Sequence, residues 1–170
     1  MPEKGLNILL IEDNQDHAEL FYANLGLTVY RGARVVQQQA LETGLICLRE
    51  RPFDLLFIDL SLRDSTISET LDRLSVLNAP CPVIVLTALD DDRTILNVIR
   101  KGADDCLPKS ELTDTLLERL IKLNLDRWQL KQHLVQSREA YRDLYHHSPN
   151  MLGSIDVRTG LILNCNRTFA

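Results

Sequence analysis

The chain has 170 residues, of which 45% are hydrophobic, and this allows one globular domain or one domain followed by a fragment. Its net charge of −5 and aromatic content of 5% exclude the basic, aromatic-rich surface typical of nucleic-acid binding, so we expect no nucleic-acid partner. The sequence has no polybasic segment and no apolar run of membrane-spanning length, which predicts no membrane contact and a cytoplasmic location.

Five short apolar runs predict β-strands in the first two thirds of the chain. They cover Asn7–Ile11, Arg34–Gln38, Leu55–Asp59, Val83–Leu86 and Asp105–Leu107. Helical spacing and capping residues predict helices over His17–Leu25, Leu41–Arg49, Ser65–Leu77, Asp90 to Gly102, and Glu111 to about His147. Because strands and helices alternate, we predict an α/β fold with a parallel sheet and helices on both of its faces.

Polar side chains stand at the ends of the strong strands. Glu12 and Asp13 follow the first strand, Asp59 ends the third, Thr87 follows the fourth and Lys109 follows the fifth. A parallel sheet brings these positions to one edge, where ligands bind in open α/β folds. Two carboxylates about 4 Å apart repel by roughly 4 kcal/mol at an effective dielectric near 20, so three of them require a cation.

The residue types at this edge match the needs of phosphoryl transfer. Oxygen ligands without cysteine or histidine suit Mg²⁺, which also favours phosphate as a ligand. A carboxylate can act as the nucleophile and form an aspartyl-phosphate, while a lysine and a hydroxyl stabilise the phosphoryl oxygens. The strand ends therefore predict a magnesium-dependent phosphoacceptor site.

Residues Asn7–Leu123 resemble the receiver domain of two-component response regulators. The resemblance rests on Ile11-Glu12-Asp13-Asn14, Phe57-Ile58-Asp59-Leu60, Val85-Leu86-Thr87-Ala88 and Gly102-Ala103-Asp104-Asp105-Cys106-Leu107-Pro108-Lys109. It implies a flavodoxin-like sheet of order 2-1-3-4-5 and a phosphoryl group received from a histidine kinase or phosphotransfer protein. The implied roles are phosphoacceptor for Asp59, Mg²⁺ ligation by Glu12, Asp13, Asp59 and the backbone carbonyl of Ser61, a switch hydroxyl for Thr87, and a phosphoryl partner for Lys109.

The chain departs from the family pattern in three ways. Cys106 stands where family members usually have an aromatic residue, three positions before the lysine. Arg63 and Ile67 replace a common proline and glycine after the phosphoacceptor, and Ser110 replaces a common proline after the lysine. The first two departures affect the switch geometry, and none affects the phosphorylation chemistry.

The last predicted helix carries apolar residues at alternating spacings of four and three. They are Leu116, Leu120, Leu123, Leu130, Leu134, Tyr141 and Leu144, interrupted by Arg127 and Ser137. This pattern favours a coiled-coil seam and a homodimer through residues 116–144. The alternative is that only the first half packs, as the last helix of the receiver, and the remainder is a solvated linker.

Residues Arg138–Ala170 resemble the start of a PAS sensory domain, with Met151–Ile155 and Leu161–Asn164 as its first hairpin. The predicted division is a receiver domain over residues 1–124, a linker helix over 125–147 and an incomplete PAS domain over 148–170. The parent protein is then a hybrid or PAS-linked signalling protein that carries a histidine kinase or cyclic-dinucleotide module. The fragment itself is expected to catalyse only its own phosphorylation and dephosphorylation.

Two other functions use some of the same residues. A hydrolase of the haloacid-dehalogenase type also orders aspartate, threonine and lysine in this way, but it has a second aspartate where this chain has Ser61. A degenerate receiver that serves only dimerisation is expected to lack Asp59, Asp13 or Lys109, and all three are present. The four histidines lie outside any kinase phosphorylation motif and are interpreted as surface or packing residues: His17, His133, His146 and His147.

Overall fold

The computed structural model describes residues 5–88, 92–150 and 152–168. The chain separates into two compact units, Met1–Trp128 and Gln129–Ala170. Asp90 and Asp91, at the predicted start of one helix, and Met151, at the predicted start of the hairpin, lie outside the described residues. None of the described helices is long and apolar enough to cross a bilayer.

The first unit contains a five-stranded sheet in which all strand pairs are parallel. Its strands are β1 (Asn7–Ile11), β2 (Arg34–Gln38), β3 (Leu55–Asp59), β4 (Val83–Thr87) and β5 (Asp105–Pro108). Their order is β2-β1-β3-β4-β5, so the predicted flavodoxin-like fold is confirmed. Each observed strand agrees with its predicted range to within one residue, although β2 has only Val35 and Val36 as an apolar centre.

Within the described residues, five α-helices accompany the sheet. They are α1 (Gln15–Gly26), α2 (Leu41–Glu50), α3 (Ile67–Val76), α4 (Asp92–Arg100) and α5 (Asp114–His146). Helix α3 begins two residues later than predicted because Thr66 is its N-cap: the Thr66 hydroxyl accepts from the Glu69 N–H at 3.2 Å, and the Glu69 carboxylate accepts from the Thr66 N–H at 2.7 Å. Helix α5 begins at Asp114 because Lys109–Glu111 first form a 3₁₀ turn.

The core lies on both faces of the sheet, as the alternation of strand side chains requires. One face packs Ile8, Leu10, Leu55, Phe57, Ile84 and Leu86 against α1 and α5. The other packs Leu9, Ile11, Leu56, Ile58, Val83 and Val85 against α2, α3 and α4. Burial on both faces fixes the strand register, and the register in turn aligns the strand ends that form the site.

The second unit contains an antiparallel hairpin of β6 (Gly153–Ile155) and β7 (Ile162–Cys165). The buried Asn166 side chain bonds to the segment that precedes β6. Its amide group donates to the Asn150 carbonyl at 2.8 Å, and its side-chain carbonyl accepts from the Leu152 N–H at 3.0 Å. The residues of β6 are exposed, as are three of the four residues of β7.

Candidate functional site

The site is formed at the carboxyl edge of the sheet. Glu12 directly follows β1, Asp59 ends β3 and Thr87 ends β4, and all three side chains are buried. The parallel register sets Asp59 beside Leu86 and Thr87 beside Pro108, one residue before Lys109. Glu12 and Asp59 therefore flank the point between β1 and β3 where the strand order reverses, which is the ligand crevice of doubly wound sheets.

The ammonium group of Lys109 joins the acids of this crevice. Its Nζ lies 2.8 Å from Asp59 Oδ2 and 2.7 Å from Glu12 Oε2. The lysine side chain is only 9% exposed, and the 3₁₀ turn after β5 directs it inward. Because an isolated buried charge is strongly disfavoured, the lysine and the two carboxylates stabilise one another in the crevice.

His17 also reaches this crevice. Asn14 caps α1 by accepting from the Asp16 and His17 N–H groups, and this orients the first turn of the helix. The Nδ1 atom of His17 then lies 2.9 Å from Lys109 Nζ and 3.4 Å from Glu12 Oε1. The interpretation of His17 as a surface or packing residue agrees with its side-chain exposure of 41%, but the sequence did not predict its contact with the lysine of the crevice.

Asp13 lies at the same edge but contacts a different residue. Its Oδ2 atom accepts from the Arg63 backbone N–H at 3.0 Å and lies 3.3 Å from Arg63 Nε. Asp64, the next residue of that loop, accepts from the Leu41 N–H at 3.1 Å. These two bonds hold the loop that follows Asp59, and Ser61 lies in it as an exposed residue.

One oxygen of the candidate phosphoacceptor has no hydrogen-bond partner within the described part of the chain. Asp59 is 2% exposed, and its Oδ1 atom is buried without a partner, whereas Oδ2 is held by Lys109. Buried acceptors in folded proteins are normally paired, so this oxygen is a place where a water, an ion or a reaction partner can bind. Together with Glu12, it provides the oxygen donors that Mg²⁺ uses, so the residues present fit this ion.

Cys106, in β5, occupies the position where an aromatic residue was expected. Burial raises the pKa of its thiol to about 11, and the neighbouring Asp105 carboxylate contributes to that shift. The thiol is therefore protonated at neutral pH and behaves as a small apolar group. It packs at the margin of the core, and a reactive thiolate is not formed there.

Fold and crevice together define a flavodoxin-like protein with an acidic site at its topological switch point. A sequence model of the response regulator receiver domain matches residues 8–121. The chain accordingly belongs to the response regulator receiver domain family of two-component systems.

Several known proteins are similar to this chain over the same region. The transcriptional regulatory protein ZraR of Klebsiella oxytoca is 31% identical over 130 residues, which cover 74% of this chain and 28% of that protein. The KDP operon transcriptional regulatory protein KdpE of Escherichia coli is 33% identical over 103 residues, covering 61% of this chain and 44% of that protein. The chain thus spans less than half the length of these curated relatives.

Solved structures are similar in fold. The signal receiver domain of a putative LuxO repressor protein from Vibrio parahaemolyticus has a TM-score of 0.65 and 24% identity, covering 76% of this chain and 96% of that chain. A response regulator receiver domain protein from Methanospirillum hungatei has a TM-score of 0.62 and 21% identity, covering 74% and 98%. At these identities the likeness supports the receiver fold alone.

Proposed function

We propose that this protein is a phosphoacceptor module in which Asp59 receives a phosphoryl group from a phosphohistidine of a histidine kinase or phosphotransfer protein. The observation that carries the proposal is the asymmetry of the Asp59 carboxylate. One oxygen is bound to Lys109 at 2.8 Å, and the other is buried without a partner among the described residues. A nucleophile needs such a free oxygen, and the lysine supplies positive charge beside it.

The proposed reaction is an in-line displacement at phosphorus. An Asp59 oxygen forms the new P–O bond while the P–N bond of the phosphohistidine breaks, and its electron pair leaves with the donor imidazole, which takes up a proton. Charge on the equatorial phosphoryl oxygens increases in such transfers, so a nearby cation lowers the barrier. Lys109 is already beside Asp59 and can follow those oxygens on its flexible stem.

The remaining residues have supporting roles in this proposal. Glu12, Asp13, Asp59 and the Ser61 carbonyl would hold Mg²⁺, which supplies charge neutralisation for the phosphoryl group when bound. The buried Thr87 hydroxyl would donate to a phosphoryl oxygen and thereby change the position of the loop that follows β4. Asp13 would have to exchange its contact with Arg63 for the ion.

Two other functions are less well supported. A haloacid-dehalogenase type of hydrolase requires an acid two residues after the nucleophile, and here that residue is the exposed Ser61. A degenerate receiver is expected to lack one of the charged residues of the crevice. Here Lys109 contacts both buried carboxylates, those of Glu12 and Asp59. Membership of the receiver family also favours the phosphoacceptor over the hydrolase.

The phosphorylation state is proposed to pass along α5 to a PAS domain. In this division, residues 1–124 form the receiver, 125–147 the linker helix and 148–170 the PAS start. The antiparallel pair of β6 and β7 supports the last assignment, since the resemblance predicts a hairpin there. The relatives are named as transcriptional regulators, but the match covers only 28% of ZraR and 44% of KdpE, so their DNA-related output is not transferred to this chain.

The proposal is tested by incubating the protein with Mg²⁺ and a small phosphodonor and measuring intact mass. Wild type is expected to gain one phosphoryl group and Asp59→Asn none. Asp54→Asn is a matched control, because Asp54 lies outside the crevice and its carboxylate accepts from the Asn7 N–H. Equal labelling of wild type and Asp59→Asn would contradict the assignment.

A further inference from the structure

The crevice holds a histidine nitrogen among its carboxylates, and this determines which cations it should prefer. Glu12, His17 and Asp59 can each present one ligand atom, and these atoms lie within 4.8 Å of one another. No other group of three or more such residues that could hold a metal ion occurs among the residues the structure describes. The oxygen set predicted from the sequence contained no nitrogen donor.

The ammonium of Lys109 occupies the centre of this donor set. It lies 2.7 Å from Glu12 Oε2, 2.8 Å from Asp59 Oδ2 and 2.9 Å from His17 Nδ1. The positive charge of the ammonium group attracts all three atoms, although its contact with the buried Glu12 Oε2 does not have hydrogen-bond geometry. The three donor atoms are therefore already arranged around a single cation.

The contact with Lys109 also concerns the imidazole ring. Because an ammonium group can only donate, Nδ1 of His17 is the acceptor where the two share a hydrogen bond. A neutral imidazole with a free lone pair is the form of histidine that binds metal ions. The 3.4 Å separation from Glu12 Oε1 then brings together two lone-pair atoms that a shared cation can bridge.

A second observation points to an ion at this place. Asp59 Oδ1 is buried and has no hydrogen-bond partner among the described residues. An ion that enters the crevice would give this oxygen a partner, and the flexible stem of Lys109 lets its ammonium group shift within the crevice to make room. The site is still reachable from solvent, since the His17 side chain is 41% exposed.

We infer that His17 is a metal ligand and that this site binds divalent transition metals such as Mn²⁺ in preference to Mg²⁺. Mn²⁺ takes carboxylate oxygens as Mg²⁺ does, but as a first-row transition metal it also accepts imidazole nitrogen, whereas Mg²⁺ strongly prefers oxygen and keeps its waters. With His17 beside Glu12 and Asp59, the donor set is of mixed nitrogen and oxygen type. The inference rests on the proposed function only in using the same crevice.

Metal binding is measured directly, without any phosphodonor. Calorimetric titration of the full chain with Mn²⁺ and with Mg²⁺ gives the affinity ratio for wild type, His17→Gln and His133→Gln. We expect His17→Gln to lower the Mn²⁺-to-Mg²⁺ ratio by at least roughly tenfold, since even a supporting residue of a metal site costs that much. His133→Gln is the matched control, because His133 is exposed on α5.

Pulsed electron paramagnetic resonance of bound Mn²⁺ gives a second readout. The wild-type spectrum is informative by itself, so this test does not require that a variant folds. The spin echo of wild type and His133→Gln should carry modulation from a directly bound imidazole nitrogen, and that of His17→Gln should not. Absence of this modulation in wild type, its persistence in His17→Gln, or an unchanged affinity ratio would each overturn the inference. Labelling of Asp59 with Mg²⁺ but no nitrogen modulation would overturn this inference alone, whereas nitrogen modulation without labelling would overturn the proposed function alone.

Discussion

At the scale of single residues, the site depends on one buried lysine. Lys109 Nζ is the cation for two buried carboxylates and lies at hydrogen-bond distance from a histidine. Removing one member of a buried ion pair leaves an uncompensated charge, which costs far more than breaking a pair in solvent. This contrast can be measured, because the chain also contains a more exposed lysine–aspartate ion pair with the same N–O distance.

Lys109→Met is expected to lower the free energy of unfolding by about 3 kcal/mol, the cost of leaving buried carboxylates without their partner. Lys101→Met is the matched control. Its ammonium lies 2.8 Å from Asp72 Oδ1, but the two side chains are 39% and 64% exposed, so its loss should cost at most about 1 kcal/mol. Urea denaturation measures both variants, and equal small losses would contradict the account of the crevice.

The buried thiols should respond to pH in a specific way. Burial raises the pKa of Cys106 from 9.0 to about 11 and that of Cys81 from 9.0 to about 12. The folded chain thus holds these protons more tightly than the unfolded chain, so this contribution to stability is present below pH 9.0 and is lost as pH rises towards 11 and 12.

Alkylation by iodoacetamide provides the test, since only the thiolate reacts. The rate at Cys106 in the folded chain should still be increasing at pH 10, whereas the rate in urea should level off near the ordinary thiol pKa of 9.0. Peptide mass spectrometry follows each cysteine separately. A folded-state rate that levels off together with the unfolded one would show that burial does not protect this thiol.

At the scale of elements, helix α2 packs unusually close to strand β1. A Cβ atom added at Gly44 would overlap the side chain of Ile11, which is fully buried. At Gly26, the last residue of α1, an added Cβ would meet nothing within 4 Å. The two glycines therefore form a matched pair for testing the packing of the sheet.

Gly44→Ala is expected to lower the free energy of unfolding by about 1 kcal/mol. Overpacking a core costs roughly 1–3 kcal/mol, which exceeds the gain of at most about 1 kcal/mol from replacing glycine in a helix. Gly26→Ala should be neutral or slightly stabilising, because it only restricts the unfolded chain. Thermal or urea denaturation compares the two, and a stabilised Gly44→Ala would show that Ile11 can move aside.

Most of the elements could be predicted from the sequence, because their signals are local. Apolar centres defined the strands, and helical spacing defined α1 to within two residues. The start of α3 was missed because the cap formed by Thr66 and Glu69 depends on side-chain geometry as well as residue type. The 3₁₀ turn after β5 was missed because the sequence there also suits the first turn of a helix.

The site could be predicted only in part. The order of strand ends predicted which acids lie at one edge, and the structure brings Glu12, Asp59 and Lys109 into contact. It could not predict that Asp13 faces Arg63, since that contact depends on the path of a loop. His17 was missed for a similar reason: its approach to Lys109 depends on how α1 is rotated against β1.

At the scale of the whole molecule, the predicted apolar seam of α5 has a first part that is packed in the receiver core and a second part that is exposed. Leu120 is buried in the receiver core and Leu116 packs against it, so these two residues are not available to a partner chain. The prediction of one continuous coiled-coil seam is therefore wrong for the first part of α5. The same spacing of apolar residues also suits a helix that packs on a sheet. From Leu130 onward the apolar residues are exposed: Leu130 64%, Leu134 64%, Tyr141 70% and Leu144 75%.

This exposed part of α5 remains the proposed homodimer contact. Burying a large apolar side chain contributes roughly 1.5–3 kcal/mol before ordering costs, so four residues per chain can favour association. Light scattering at micromolar concentration is expected to give a dimer for wild type and a monomer for Leu130→Glu/Leu134→Glu. Gln132→Glu/Gln136→Glu adds the same charge at neighbouring exposed positions and should stay dimeric, whereas a monomeric wild type would rule the contact out.

The central claim is that Asp59 is the phosphoacceptor, and chemical trapping locates the phosphoryl group most directly. Borohydride reduces an aspartyl-phosphate to homoserine but leaves a free carboxylate unchanged, so peptide sequencing by mass spectrometry identifies the modified residue. After incubation with Mg²⁺ and a small phosphodonor, we predict homoserine at position 59, with Glu12, Asp13 and Asp54 unchanged. Reduction at one of those acids, or at none, would contradict the account.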